Sequence, residues 1–235
     1  MSLKLFIESK IPYIANILKK IKQKTINRYK AKKQQKQLKF YGKEALEKID
    51  LAFKELNKTY FLVYGTLLGA YRDKDFISHD IDIDIGAFFH EYDSNIEKVL
   101  INYGFKKKHE FVVDNGKFAR EETYIYKKIH IDIFYFKLER DKLVGYIFSN
   151  EPNLSWNATI KKHGGLLVRE EITNFYGIEE LKFLGGKYCI LKNPKAHLEY
   201  FYGKNFMIPD ASWTPQKVKK LKFLKNKIGK VISYD

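Results

Sequence analysis

The sequence predicts a mixed α/β domain, a β-sheet flanked by helices, with a basic amphipathic helical extension at each end. Three observations carry this. The 235 residues are 45% hydrophobic and include 17 Tyr and 18 Phe, enough for one generous core and too few for two full enzymes. Apolar patterns of period two and period 3.6 alternate along residues 41–211 with no repeat or proline-rich linker between them. The charge of +16 is also segregated. Residues 1–40 hold 12 Lys/Arg against Glu8, and residues 212–235 hold 7 Lys against Asp235. Residues 41–211 carry 25 basic and 26 acidic residues. We therefore divide the chain into an N-terminal arm (1–40), a catalytic or binding domain (41–211) and a C-terminal tail (212–235).

In the first arm Ile7, Ile11, Ile14, Leu18 and Ile21 recur at helical spacing, with Pro12 splitting or starting the helix. In the tail Val218, Leu221, Leu224, Ile228 and Val231 repeat the pattern among lysines. Such helices either lie on an anionic membrane surface or pack on the domain itself, and nucleic acid is the least favoured partner. Within the domain, Ala45 to Leu56 has helical spacing and Tyr60–Tyr64 reads as a strand broken by Gly65-Thr66. A short helix follows over 66–72, then a loop, a strand over 80–85 and a helix near 93–103. Asp114-Asn115-Gly116 signals a hairpin, followed by strands near 118–127, 129–138 and 143–148. Residues 181–191 form a hairpin about Gly185-Gly186, and Pro194 opens the last helix. A single cysteine, Cys189, excludes an internal disulfide and a multi-thiolate metal site. No apolar run of eighteen residues and no secretory leader are read, which places the protein in the cytoplasm.

Asp80-Ile81-Asp82-Ile83-Asp84-Ile85 is the most informative segment. Side chains alternate faces along a strand, so three carboxylates share one side and three isoleucines the other. Like charges so aligned repel, and a divalent ion between them removes the penalty. Hard oxygen ligands without clustered His or Cys point to Mg²⁺ or Mn²⁺. Upstream, Gly65 and Thr66 suit a phosphate oxygen, and Arg72 and Lys74 can hold further phosphate charge or serve as plain surface cations. In His130-Ile131-Asp132-Ile133-Phe134 a lone carboxylate sits in an apolar strand. Asp132 converges on the same cation if the two strands are neighbours, where it ligates the ion or deprotonates an attacking hydroxyl. His130 reads equally as a structural histidine or a substrate contact. Trp156, Tyr124 and Trp213 can stack on a base, cage a choline cation or pack in the core, and packing is the preferred reading.

Gly65-Thr66-Leu67-Leu68-Gly69-Ala70-Tyr71-Arg72, followed by Lys74, Phe76-Ile77 and Asp80-x-Asp82-x-Asp84-Ile85-Gly86, resembles the signature of the LicD/fukutin-related phosphotransferases. The likeness continues at His130–Phe134 and at Leu198, Tyr202-Gly203, Phe206-Met207 and Pro209, spanning roughly residues 42–210. Ser78-His79 stands where the family commonly has Pro-Trp, and Ile81 interrupts a run of acids. The resemblance implies a nucleotidyltransferase-like fold. It assigns Asp80, Asp82, Asp84 and Asp132 to the metal, and Gly65, Thr66 and Arg72 to the donor phosphates. It also implies transfer of a phosphocholine-like alcohol phosphate from a CDP-linked donor to a sugar hydroxyl of a surface glycan (lipopolysaccharide, capsule or teichoic-type), with release of CMP. On this reading the basic arms hold the enzyme at the inner face of the cell membrane beside lipid-linked acceptors. Two alternatives use the same parts: transfer of a nucleotide itself to a small molecule or RNA, and a non-catalytic basic module that binds glycan or nucleic acid.

Overall fold

The computed structural model describes residues 3–210, 213–214, 218 and 220–234, with side chains from residue 22 onward apart from Lys24. Helix α1 runs from Leu3 to Glu55. At 1.5 Å per residue it is about 80 Å long. It passes without a break through Pro12 and across the boundary expected at residue 40. Its second half buries Leu38, Leu46, Ile49 and Phe53 on the domain, at the helical spacing read from the sequence. The apolar stripe Ile7–Ile21 lies outside the described side chains.

The domain then follows in order: β1 (Tyr60–Leu62), α2 (Tyr64–Leu68), a π-helical turn at Gly69–Asp73, β2 (Asp82–Phe88) and α3 (Asn95–Asn102). Four strands make consecutive hairpins: β3 (Lys106–Val113), β4 (Ala119–Tyr126), β5 (Ile129–Glu139) and β6 (Lys142–Ser149). The first turn holds Asn115 and Gly116 at positive φ, as expected of an Asn-Gly hairpin, and the second does so with Lys127 and Lys128. After these come α4 (Trp156–His163), β7 (Leu166–Asn174), the hairpin β8 (Ile178–Phe183) and β9 (Gly186–Leu191), α5 (Pro194–Tyr202) and β10 (Lys222–Ser233). The sequence reading had no account of α4 and β7. Ser155 caps α4 by accepting from the Ala158 amide at 3.2 Å, and Gly164 ends it at φ +75°.

Among the described residues ten strands join one mixed sheet, in the order β4-β3-β10-β7-β6-β5-β2-β1-β9-β8, and β4 also pairs with β5. The first six strands therefore close on themselves around Phe111, Val113, Tyr146, Phe148 and Val168. Strand β5 belongs to both parts: its first half lies between β4 and β2, and its second half pairs with β6. The mixed α/β class is as expected, and the sheet carries α1 and α3 on its main core.

The C-terminal extension is a correction. The tail was expected to be an amphipathic helix, but residues 222–233 form a strand between β3 and β7, pairing Lys230–Ser233 with one and Lys222–Gly229 with the other. Two open sheet edges facing each other leave rows of unpaired backbone groups, and a strand satisfies both where a helix satisfies neither. Val231 packs on the β3–β7 core, and Lys227 pairs with Asp114 at 2.5 Å.

Candidate active site

The turn from β1 into α2 is built against β2. The Val63 amide donates to the Asp84 carbonyl at 3.3 Å, and Thr66 Oγ1 accepts from the Asp84 amide at 2.8 Å. The Gly65 amide donates to Asp84 Oδ2 at 3.2 Å. A Cβ on Gly65 would meet Asp80 Oδ2 at 2.7 Å, so this approach admits only glycine without displacing an acid. Tyr64 takes a left-handed φ of +45° and turns its ring edge-on to Phe134 and Phe201.

Strands β2 and β5 run parallel, with Asp82 beside His130 and Asp84 beside Asp132. Equal register puts the side chains of Asp82, Asp84 and Asp132 on one face, and their carboxylate oxygens lie within 4.8 Å of one another. Two ionised carboxylates at that separation repel by about 3–4 kcal/mol at an effective dielectric near 20. Burial raises the pKa of all three, and repulsion from the neighbouring carboxylates raises Asp82 and Asp84 further. Asp80 is pushed up to about 8, chiefly by burial and then by Asp82, and its Oδ2 is buried without a hydrogen-bond partner. Thr123 on β4 donates its hydroxyl to Asp132 Oδ1 at 2.6 Å, leaving the other oxygen of that carboxylate free for a ligand. A hard divalent cation fits this donor set: the oxygens converge, nothing cationic among the described residues pairs with them, and one neighbouring acid has an orphaned oxygen.

The acids open into a cavity of about 300 Å³ walled by Tyr64, Phe134, Phe201, Tyr202 and Trp213 and capped by Val218 and Leu221. A second cavity of about 590 Å³ meets it at Gly65, Asp80 and Asp82 and is rimmed by Arg72, His79 and Phe206. The expected residues are thus distributed unevenly. Gly65, Asp80, Asp82, Asp84 and Asp132 come together, with Asp80 just before β2 rather than within it. Thr66 is fully buried and acts on the site only through the Asp84 amide. Arg72 lies on the rim, but its guanidinium is held in a fork by Asp73 at 2.6 and 2.8 Å and donates to the Phe206 carbonyl. Lys74 turns away, donating to the Tyr71 carbonyl at 2.9 Å, and His130 lines neither cavity.

Two residues that bear on the site, Thr123 and Glu171, escaped the sequence reading. Thr123 could have been found by counting back the β4–β5 hairpin, which pairs it with Asp132. Glu171 could not: it lies 107 residues from Tyr64, whose hydroxyl donates to its Oε1 at 2.9 Å. Burial raises the Glu171 carboxyl to about 8. Trp213 reaches the wall through its indole N–H, which donates to the Phe201 carbonyl at 3.1 Å. Tyr124 is core and Trp156 sits against Phe111, so both pack as expected.

A mixed sheet that sets a strand–glycine–helix turn against converging aspartates on parallel strands is the arrangement of a nucleotidyltransferase-type domain. Comparison with protein families agrees: residues 57–174, half of the chain, match the LicD/FKTN/FKRP nucleotidyltransferase domain, and the chain belongs to that family. Among curated proteins it is 28% identical to the ribitol-5-phosphate transferase FKTN of Macaca fascicularis, over 178 residues that cover 74% of this chain and 35% of that protein. The human protein of the same name is 27% identical over the same length and shares. The uncharacterized protein RT0683 of Rickettsia typhi is 32% identical over 100 residues, 41% of this chain and 29% of its own. The chain spans about a third of the length of the FKTN relatives. No helix among the described residues is long and apolar enough to cross a membrane.

Proposed function

We propose that this chain transfers a phosphorylated alcohol from a CDP-linked donor to a sugar hydroxyl of a glycan, with release of CMP. The observation that carries the reading is the convergence of Asp82, Asp84 and Asp132 beside the Gly65 turn in a cavity with aromatic walls. These three acids, with Asp80 alongside, would hold Mg²⁺ or Mn²⁺, which when bound neutralises charge on the donor pyrophosphate. Gly65 keeps the backbone low enough for the donor to approach, and Thr66 fixes Asp84. Asp132, oriented by Thr123, takes the proton of the acceptor hydroxyl as the new oxygen–phosphorus bond forms and the bond to CMP breaks. Arg72, committed to Asp73 and Phe206, shapes the rim and adds positive field there rather than a dedicated phosphate fork. The aromatic wall suits either a stacked base or a choline-type cation.

Two donors are the first to try. A CDP-choline type follows from the resemblance read in the sequence, and CDP-ribitol follows from the name of the FKTN relatives. The acceptor is a surface glycan, and the lysine-rich N-terminal arm with its apolar stripe would hold the enzyme peripherally on the inner face of an anionic membrane. Screening both donors with mass detection of CMP tests the reaction, and Asp82→Ala or Asp84→Ala should abolish CMP release while keeping the fold. Retained turnover would contradict the assignment. Transfer of the nucleotide itself, the competing reading, is recognised by labelled nucleotide appearing on the acceptor.

A further inference from the structure

Away from the aspartates, the start of α5 closes a cavity of about 190 Å³ against the ends of β7 and β9. His197 lines it, is only 4% exposed, and has no hydrogen-bond partner at either ring nitrogen. Burial pushes its imidazole down to about 4, so at neutral pH the ring is uncharged, with one N–H donor and one bare nitrogen acceptor. A buried polar group left unmet costs about 1–3 kcal/mol. Lys192 and Lys220 stand at the rim, both exposed, and no carboxylate among the described residues lines the cavity or pairs with them. Tyr176 is half exposed beside them. Tyr200 donates its hydroxyl to the Lys220 carbonyl at 3.2 Å, which holds the segment ahead of β10 against α5.

We infer that this cavity binds an acidic sugar, its carboxylate on Lys192 and Lys220, its hydroxyls on His197 and its ring against Tyr176 and Tyr200. Two lysines without a carboxylate partner call for an anion. A carboxylate alone would satisfy only the N–H of His197, whereas a hydroxyl both donates and accepts and so meets either nitrogen. The tyrosines offer an apolar face with a polar tip, which suits a ring that is apolar on its C–H side and polar at its edge. A phosphate is the poorer occupant. It favours free amides at a helix N-terminus, and here Pro194 has none while the Ala196 amide already donates to Asn193. The site lies behind the aspartate cavity rather than in it. The His197 ring centre stands 6.3 Å from that of Tyr64 and 5.2 Å from that of Phe201, both of which wall the aspartate cavity, and no residue lines both spaces. The sugar held here is therefore not the reacting one, and its binding requires no turnover at the acids.

Sodium glucuronate, titrated by calorimetry into the full chain, should bind with a Kd of about 1 mM or tighter. Glucose, which lacks the charge, and acetate, which lacks the hydroxyls, should each bind at least tenfold more weakly. Lys192→Ala/Lys220→Ala should lose at least tenfold in glucuronate affinity. Lys117→Ala/Lys161→Ala, which removes two exposed lysines lining no part of the cavity, should stay within twofold of wild type. His197→Gln keeps a donor and an acceptor and should lose less affinity than His197→Leu, with melting curves to check that both fold. One readout needs no variant: the ring-nitrogen NMR signals of His197 in the wild type should shift on adding glucuronate and stay in place with acetate. Absence of binding, equal losses in the two lysine variants, or unmoved His197 signals would overturn the inference. Glucose binding as well as glucuronate would remove the anionic part of it, and glucose 6-phosphate binding more tightly would remove the carboxylate part.

Discussion

Tyr64 and Glu171 illustrate how single residues set the chemistry of this domain. The Glu171 carboxyl is about 1% exposed, has one hydrogen-bond donor in the Tyr64 hydroxyl, and keeps its proton up to about pH 8 because burial disfavours the charged form. An unfolded chain ionises the same group near its ordinary value of 4.5. Between those two pH values the unfolded state has lost a proton that the native state retains, so rising pH favours unfolding. Glu171→Gln keeps an acceptor for Tyr64 and does not titrate. Urea denaturation should find the variant and wild type alike at pH 4.5, and the variant more stable by about 2–4 kcal/mol at pH 8. A constant difference across that range would show that Glu171 is charged in the folded protein. The aspartate trio follows the same logic with a different remedy, since a bound cation would relieve its raised pKa values without a retained proton.

At the scale of elements, β10 matters most to the fold because it joins what the preceding hairpins leave open. It bonds β3 on one side and β7 on the other, and the segment leading into it places Val218 and Leu221 over the aspartate cavity. Val231, opposite Phe111 in the ladder and packed on that core, is a sensitive position. Val231→Pro removes an amide donor and introduces a fixed φ in a central strand, and it should lower stability by about 3 kcal/mol in chemical denaturation. A tail that does not pack on the domain would tolerate the same change with little loss of global stability, so the experiment tests whether this segment is part of the sheet.

Across the whole molecule the acids at the site cost stability that a bound cation would return. Three carboxylates crowded within 4.8 Å weaken the metal-free fold, and any ion that binds only the native state stabilises it by mass action. Mn²⁺ at a hundred times its Kd should raise stability by about 2.7 kcal/mol, reversed by chelation. Asp132→Asn should raise the melting temperature of the metal-free protein by removing one of the mutually repelling charges, and should lose most of the response to Mn²⁺. Differential scanning calorimetry with and without chelator measures both effects, and a wild-type melt indifferent to Mn²⁺ would remove the case for a metal site.

The sequence alone determined what depends on neighbours along the chain. The hairpin at Asn115-Gly116 follows from residues that accept positive φ, α5 from Pro194 at its first turn, and the placement of Asp82 with Asp84 from the two-residue repeat of a strand. The acid at 132 was readable as a partner because a lone charge in an apolar strand needs one. Tertiary structure decided the rest. The tail has apolar spacing compatible with a helix, and only the facing edges of β3 and β7, more than fifty residues apart in sequence, make it a strand. The roles of Thr66, Arg72 and Lys74 turned on which atoms already bind them, and the Tyr64–Glu171 contact on the order of strands in the sheet. Local pattern constrains φ, ψ and which face a side chain occupies. Which distant groups meet depends on how the sheet closes, through backbone bonds whose partners no local pattern specifies.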